Sequence, residues 1–145
     1  MPGRKWDGPP FSGAKIALLC GSRIVAYLRD EDAGIPFPGL WDLPGGGCEG
    51  GEGPVACALR EVEEEFGLAL DEDRILSLER YESTRPGGPD TYFCVAQVTP
   101  SEVAAIRFGE EGQRWRLMAA SEFVALGDAV PDMRSRLKRY LDGET

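Results

Sequence analysis

Glu61, Glu64 and Glu65 stand at i, i+3 and i+4, a spacing that gathers three carboxylates on one side of a single helix. The segment around them has helical punctuation. Gly53 and Pro54 open it, and Gly67 closes it. At about 100° per residue, Val55, Ala58, Leu59, Val62 and Phe66 fall on one face, a core-directed stripe beside the carboxylates, and Glu63 points away from them. Like charges one turn apart cost a helix about 0.2–0.5 kcal/mol per pair. The macrodipole also disfavours anions in the last turns. Arg60 can pair with Glu64 one turn on, but one guanidinium does not balance three carboxylates; a divalent cation would. Taken alone, the run reads equally as a solvated acidic face. The glycine-rich approach and the placement of Glu52 and Arg60 favour the metal site.

The chain contains no histidine. That removes Ser-His and Cys-His triads, imidazole bases and histidine-built zinc sites. The ligands left for a metal are carboxylate and carbonyl oxygens, which select Mg²⁺ or Mn²⁺.

Residues 46–68 resemble the box of the Nudix hydrolases, Gly-x5-Glu-x7-Arg-Glu-U-x-Glu-Glu-x-Gly-U, where U is a bulky aliphatic residue. Gly46, Glu52, Arg60, Glu61, Val62, Glu64, Glu65, Gly67 and Leu68 fill every specified position. Trp41-Asp42-Leu43-Pro44-Gly45 leads into the box as a strand and turn, and it too is similar to the family. The resemblance implies an α/β fold: a Nudix-type α/β/α sandwich around a mixed β-sheet, with the box as a loop-helix-loop. It implies Mg²⁺, with Mn²⁺ able to substitute, held by Glu61, Glu64 and Glu65 with a backbone carbonyl from Gly45 or Gly46. It further implies that Arg60 serves catalysis by orienting a ligand carboxylate and that Glu52 steadies the loop. The general base is a box glutamate, with Glu64 favoured, or one of Glu110 and Glu111 in the loop before Trp115. Glu111 is also a candidate metal ligand.

Composition sets the frame. A chain of 145 residues with 42% hydrophobic content suits one domain, taken as 1–145. No stretch approaches the roughly 20 apolar residues of a membrane span. Met1 to Ala14 holds no apolar signal core, so secretion is not expected. Cys20, Cys48, Cys57 and Cys94 lie in separate elements without CxxC spacing. This argues against a zinc knuckle and suggests free thiols in a reducing, cytoplasmic setting, with Cys57 a small apolar filler on the box helix. The net charge of −9 opposes binding of nucleic-acid polymers but not of a single nucleotide beside a metal.

The remaining pattern predicts strands over 15–20 and 24–29 joined at Gly21-Ser22, a short strand over 40–43, and strands over 75–84 and 91–98 around the turn at 85–90. A short helix beginning at Pro100 points Val103 and Ile106 inward. A strand over 113–118, a helical turn at 121–123 and a terminal helix over 131–141 complete the chain.

Candidate substrate contacts are Arg29 at a strand end, Phe37 in a proline-flanked loop, Gly45 and, on the first strand, Lys15. Trp41, Trp115 and Tyr92 could stack on a base, although strand aromatics more often pack in a core, and Trp41 is expected there. Small size favours a nucleoside triphosphate, oxidised or not, cleaved to the monophosphate and pyrophosphate. Pro86, 18 residues past Leu68, keeps ADP-ribose or a nucleotide sugar open. A Nudix-fold binding module without catalysis would be expected to lack a box glutamate. An acidic protein-interaction domain would leave the glycine turn and Arg60 unexplained. A homodimer is compatible with the family resemblance, with no sequence feature specifying it.

Overall fold

β1 (Phe11–Cys20) and β2 (Arg23–Leu28) alternate buried side chains between two faces, and this alternation divides the core. Ile16, Leu18, Val25 and Tyr27 face one layer; Ala17, Ile24 and Ala26 face the other. The computed structural model describes residues 6–83 and 86–143. In chain order, β3 (Trp41–Asp42), β4 (Gly45–Gly47), α1 (Pro54–Phe66), a 3-10 turn (Glu72–Arg74), β5 (Ile75–Tyr81), β6 (Asp90–Gln97), α2 (Pro100–Ala104), β7 (Arg114–Ala119), α3 (Ala120–Ala125) and α4 (Pro131–Leu141) follow.

The sheet is mixed, ordered β3-β2-β1-β6-β5, with β4 pairing β1 and β7 pairing β2. β1 runs parallel to β6 from Phe11 to Leu19, whereas β1 and β2 pair only near the hairpin, at Leu19↔Ile24 and Cys20↔Arg23. Beyond that point they diverge. β1 takes β4 as its partner, β2 takes β3 and β7, and a cleft opens between them. The stripe of α1, with Ala58, Leu59, Val62 and Phe66 buried, covers one face of the sheet. Burying each of the larger side chains contributes about 1.5–3 kcal/mol. Phe123 of α3 and Met133 and Leu137 of α4 cover the other face around Trp41, Leu43, Phe93 and Val95. The expected α/β/α layering is present, and Trp41 is core as expected.

The expected elements differ from the observed ones mainly at their ends. β1 begins four residues before Lys15 because β4 and β6 extend its ladder. The box glycines, expected as a turn, form β4, since pairing with β1 satisfies a backbone that has no side chains of its own to pack. β5 ends at Tyr81, and the last residue of the strand predicted over 75–84 lies outside the described residues.

The cysteine expectation requires correction. Cys48 and Cys57 form a disulfide with Cα atoms 5.3 Å apart, so Cys57 is a cross-link as well as a core filler. The chain turns back through Gly50 and Gly51, both at positive φ, and sets Cys48 beside the first turns of α1. Cys20 and Cys94 are free. Among the described residues, no helix is long and apolar enough to cross a membrane.

Candidate active site

Three separate stretches meet at one cavity of about 560 Å³: β4, the C-terminal half of α1, and the loop that precedes β7. α1 starts from Gly53 with Pro54 in its first turn and stops at Gly67, whose N–H bonds the Glu63 carbonyl from a left-handed conformation. Its apolar stripe turns Glu65 inward until only 8% is exposed, and Glu65 Oε1 accepts the Gly45 N–H at 3.0 Å. Gly45 has φ +126°, and any side chain there would strike the Ala14 carbonyl, so this position needs glycine. Burial pushes the Glu65 carboxyl up to about 7. The Gly45 N–H and the Lys15 ammonium pull it down, and Glu61 and Glu111 push it further up.

Glu61 is also partly buried, and burial raises its carboxyl against the pull of Arg60, with Glu64 and Glu111 adding repulsion. The Gly46 backbone passes so close that a Cβ would lie 2.9 Å from Glu61 Oε1. Glu64 sits at the rim, its side chain 58% exposed.

Arg60 ties the loop to the helix. Its Nε and Nη2 donate to the two oxygens of Glu52 at 2.7 and 3.0 Å, and Nη2 also donates to the Gly47 carbonyl at 2.9 Å. Its Nη1 donates to Glu61 at 3.0 Å and to both Glu64 oxygens at 3.1 Å. The hydrogen bond from Arg60 holds Glu52 below the usual carboxylate range, and the same bond raises Arg60. These are the positions at which a supporting pair would act.

Glu110 and Glu111, more than forty residues past the box, are brought back to it. The Arg107 N–H donates to the Phe66 carbonyl at 2.9 Å and the Gly109 N–H to the Glu65 carbonyl at 2.8 Å. The Phe108 ring packs 5.4 Å from that of Phe66. Both glutamates join Glu49, Glu61, Glu64 and Glu65 around an acidic cavity of about 500 Å³, and Glu111 also lines the larger one. This all-oxygen set suits a hard divalent cation: partly buried carboxylates raise one another and have too few cations to balance them. Cys48, Glu52 and Cys57 also bring possible ligand atoms within 4.8 Å of one another. There, however, the sulfurs are bonded together and Glu52 is held by Arg60.

Arg29, Phe37, Gly45 and Lys15 all line the larger cavity, as does Gly46. Phe37 is 46% exposed and has a positive φ of 52°. Trp41 and Tyr92 are buried, Trp115 packs against the α1 side of the core, and none of the three lines this cavity. Sequence reasoning missed Asp42, Asp132 and Arg136. Asp42 had a local signal, a carboxylate between apolar Trp41 and Leu43, the mark of a buried charge needing partners. Arg136, which lies 4.1 Å over the Tyr81 ring, is half a chain away from the box and had none.

The NUDIX domain family model matches residues 13–140. An RNA pyrophosphohydrolase of Acidiphilium cryptum is 40% identical over 60 residues, covering 41% of this chain and 35% of that one. A putative ADP-ribose pyrophosphatase of Bacillus subtilis is 36% identical over 92 residues, covering 63% of this chain and 41% of that one. The matched stretches therefore span well under half the length of these curated relatives. Among solved structures, a MutT protein of Methanosarcina mazei superposes with a TM-score of 0.71 at 18% identity, covering 94% of this chain and 97% of that one.

Proposed function

Because this chain belongs to the Nudix family, we propose that it is a metal-dependent hydrolase of a pyrophosphate linkage in a nucleoside diphosphate derivative. The observation that carries the reading is the convergence of Glu61, Glu65, Glu111 and the Gly45–Gly46 backbone on one cavity that also holds Lys15 and Arg29. A volume of about 560 Å³ suits a nucleotide-sized ligand.

Glu61, Glu64 and Glu65, with the Gly46 carbonyl, would hold Mg²⁺, and Mn²⁺ could replace it. When bound, the ion neutralises phosphate charge and lowers the pKa of a water. Arg60 keeps Glu61 aimed by sharing Nη1 between it and Glu64, while its grip on Glu52 and the Gly47 carbonyl fixes the loop. Of the candidate bases, Glu111 is the better placed, because it lines the larger cavity, whereas Glu64 stands at the rim with its side chain 58% exposed. A carboxylate oxygen of Glu111 would take a proton from the attacking water as its oxygen bonds to one phosphorus of the P–O–P linkage. The bond from that phosphorus to the bridge oxygen breaks, and the bridge oxygen departs with the other phosphoryl group.

For substrate, the reading is a nucleoside triphosphate, including oxidised deoxynucleotides, cleaved to the monophosphate and pyrophosphate. The printed name of the Bacillus subtilis relative supports ADP-ribose or a nucleotide sugar as the second reading. The test is a panel of both classes with Mg²⁺ and product identification. Glu65→Gln should keep its fold and lose turnover by about 100-fold or more, since disturbing even the support of a metal ligand costs about 10–100-fold. Wild-type turnover by that variant would remove Glu65 from the ligand set. No metal-dependent hydrolysis anywhere in the panel would defeat the function.

A further inference from the structure

Asp42 is 2% exposed, and both of its oxygens are hydrogen-bonded. Oδ1 accepts the Leu43 N–H at 2.7 Å. Oδ2 accepts Lys15 Nζ at 2.9 Å, Arg29 Nη1 at 2.9 Å and the Tyr27 hydroxyl at 3.3 Å. We propose that Asp42 is a positioning residue that presents Lys15 and Arg29 as a paired clamp for the phosphate oxygens of the substrate, an inference that rests on the pyrophosphohydrolase reading and deepens it.

The two cations come from different strands, Lys15 from β1 and Arg29 just past β2, and in this region those strands have diverged. A shared acceptor therefore sets their spacing, where a ladder of backbone bonds cannot. Two cations on one carboxylate leave a net positive charge on one wall of a cavity that Glu61, Glu65, Glu111 and Asp132 make acidic and where Arg136 is the other lining cation among the described residues. Secondary bonds leave donors available. Arg29 Nε is spent on the Pro36 carbonyl at 2.9 Å, while its Nη2 has no bond among the described residues. Lys15 also donates to the Leu43 carbonyl at 3.1 Å and the Gly45 carbonyl at 3.4 Å, and the last of these is the bond a phosphate oxygen would displace. Holding both long side chains before substrate arrives lowers the ordering cost of binding. Only an acceptor on both sides fits: the amide of an asparagine would turn its NH₂ toward either the Leu43 N–H or the cations.

The test is steady-state kinetics of wild type, Asp42→Asn, Arg29→Met and the double variant on the substrate found in the panel, with thermal unfolding alongside. Asp42→Asn should raise KM about tenfold, the scale of one lost charge-assisted bond, with kcat within about threefold. The double variant should lose little beyond Arg29→Met, because the two changes remove one device. Unchanged KM in a folded Asp42→Asn, equal losses in kcat, or full additivity would overturn the assignment. If Asp42→Asn does not fold, Lys15→Met and Arg29→Met carry the test: coupled effects on KM support a clamp, and independent effects refute it. If wild type hydrolyses nothing, the function reading fails separately. Inorganic pyrophosphate titrated calorimetrically, with and without Mg²⁺, then decides the clamp by whether Asp42→Asn weakens binding about tenfold or leaves it unchanged.

Discussion

At Glu65 burial and charge oppose each other, and the conflict has a measurable sign. In the folded, metal-free protein its carboxyl is pushed up from 4.5 to about 7. The folded state therefore keeps a proton across a range in which the unfolded chain has released it. Stability from this group is fully present below about pH 4.5 and is lost as pH rises through about 7, a contribution of about 3 kcal/mol at most. Metal-free wild type should accordingly lose melting temperature relative to Glu65→Gln between pH 5 and 7.5. A cation competes with that proton, so the stabilisation of wild type by Mg²⁺ should grow over the same range and stay flat in the variant. Parallel melting curves at all pH values would remove the buried-carboxylate argument. The box glutamates were legible because their spacing alone places them on one helix side. Which of them is buried was not: Glu64 and Glu65 are sequence neighbours, and only the docking of α1 on the sheet exposes one and buries the other. The role of Asp42 was not legible, since its meaning lies in Lys15 and Arg29, 27 and 13 residues away.

The box works as an element because its loop and helix are fastened at several points. Arg60 supplies one fastening and the Cys48–Cys57 disulfide another, closing a loop of separation 9. A closure of that size restricts the unfolded chain by about 2.5 kcal/mol. Reduction with a dithiol should lower the melting temperature by roughly 5–10 °C, and a Cys48→Ser, Cys57→Ser variant should melt at the reduced value and ignore the reductant. Identical melts with and without dithiol in wild type would show that the thiols are not joined in solution. Spacing did not reveal this bond because the distance between positions 48 and 57 depends on how the glycine loop reverses. Their shared membership of one loop-helix unit was the available signal. α4 was legible to the residue, with Pro131 opening an amphipathic run. β4 was not, because a glycine strand exists only through its partner β1. The approach of Glu110 and Glu111 was half legible: the pair was visible as acidic, but its docking against the end of α1 is a backbone contact that no pattern announces.

Across the whole molecule, the net charge of −9 works against an anionic substrate, while the cation pair at Asp42 works for it. The two effects have different ranges. Repulsion from the surface acts over the Debye length, about 30 Å at 0.01 M salt and about 8 Å at 0.15 M. The pull of Lys15 and Arg29 acts at contact, from side chains about one-fifth exposed, where salt screens much less. Adding NaCl at fixed free Mg²⁺ should therefore remove the long-range barrier first. Between those two ionic strengths kcat/KM should rise by about two- to fivefold, with the gain in association rather than turnover. Arg29→Met should start from a lower kcat/KM and rise by the same factor, because the variant alters the contact and leaves the surrounding field nearly unchanged. A steady fall with salt in wild type would mean that attraction at the cavity already dominates at a distance. The acidic surface would then be electrostatically silent toward the substrate, and the clamp would have to steer as well as hold.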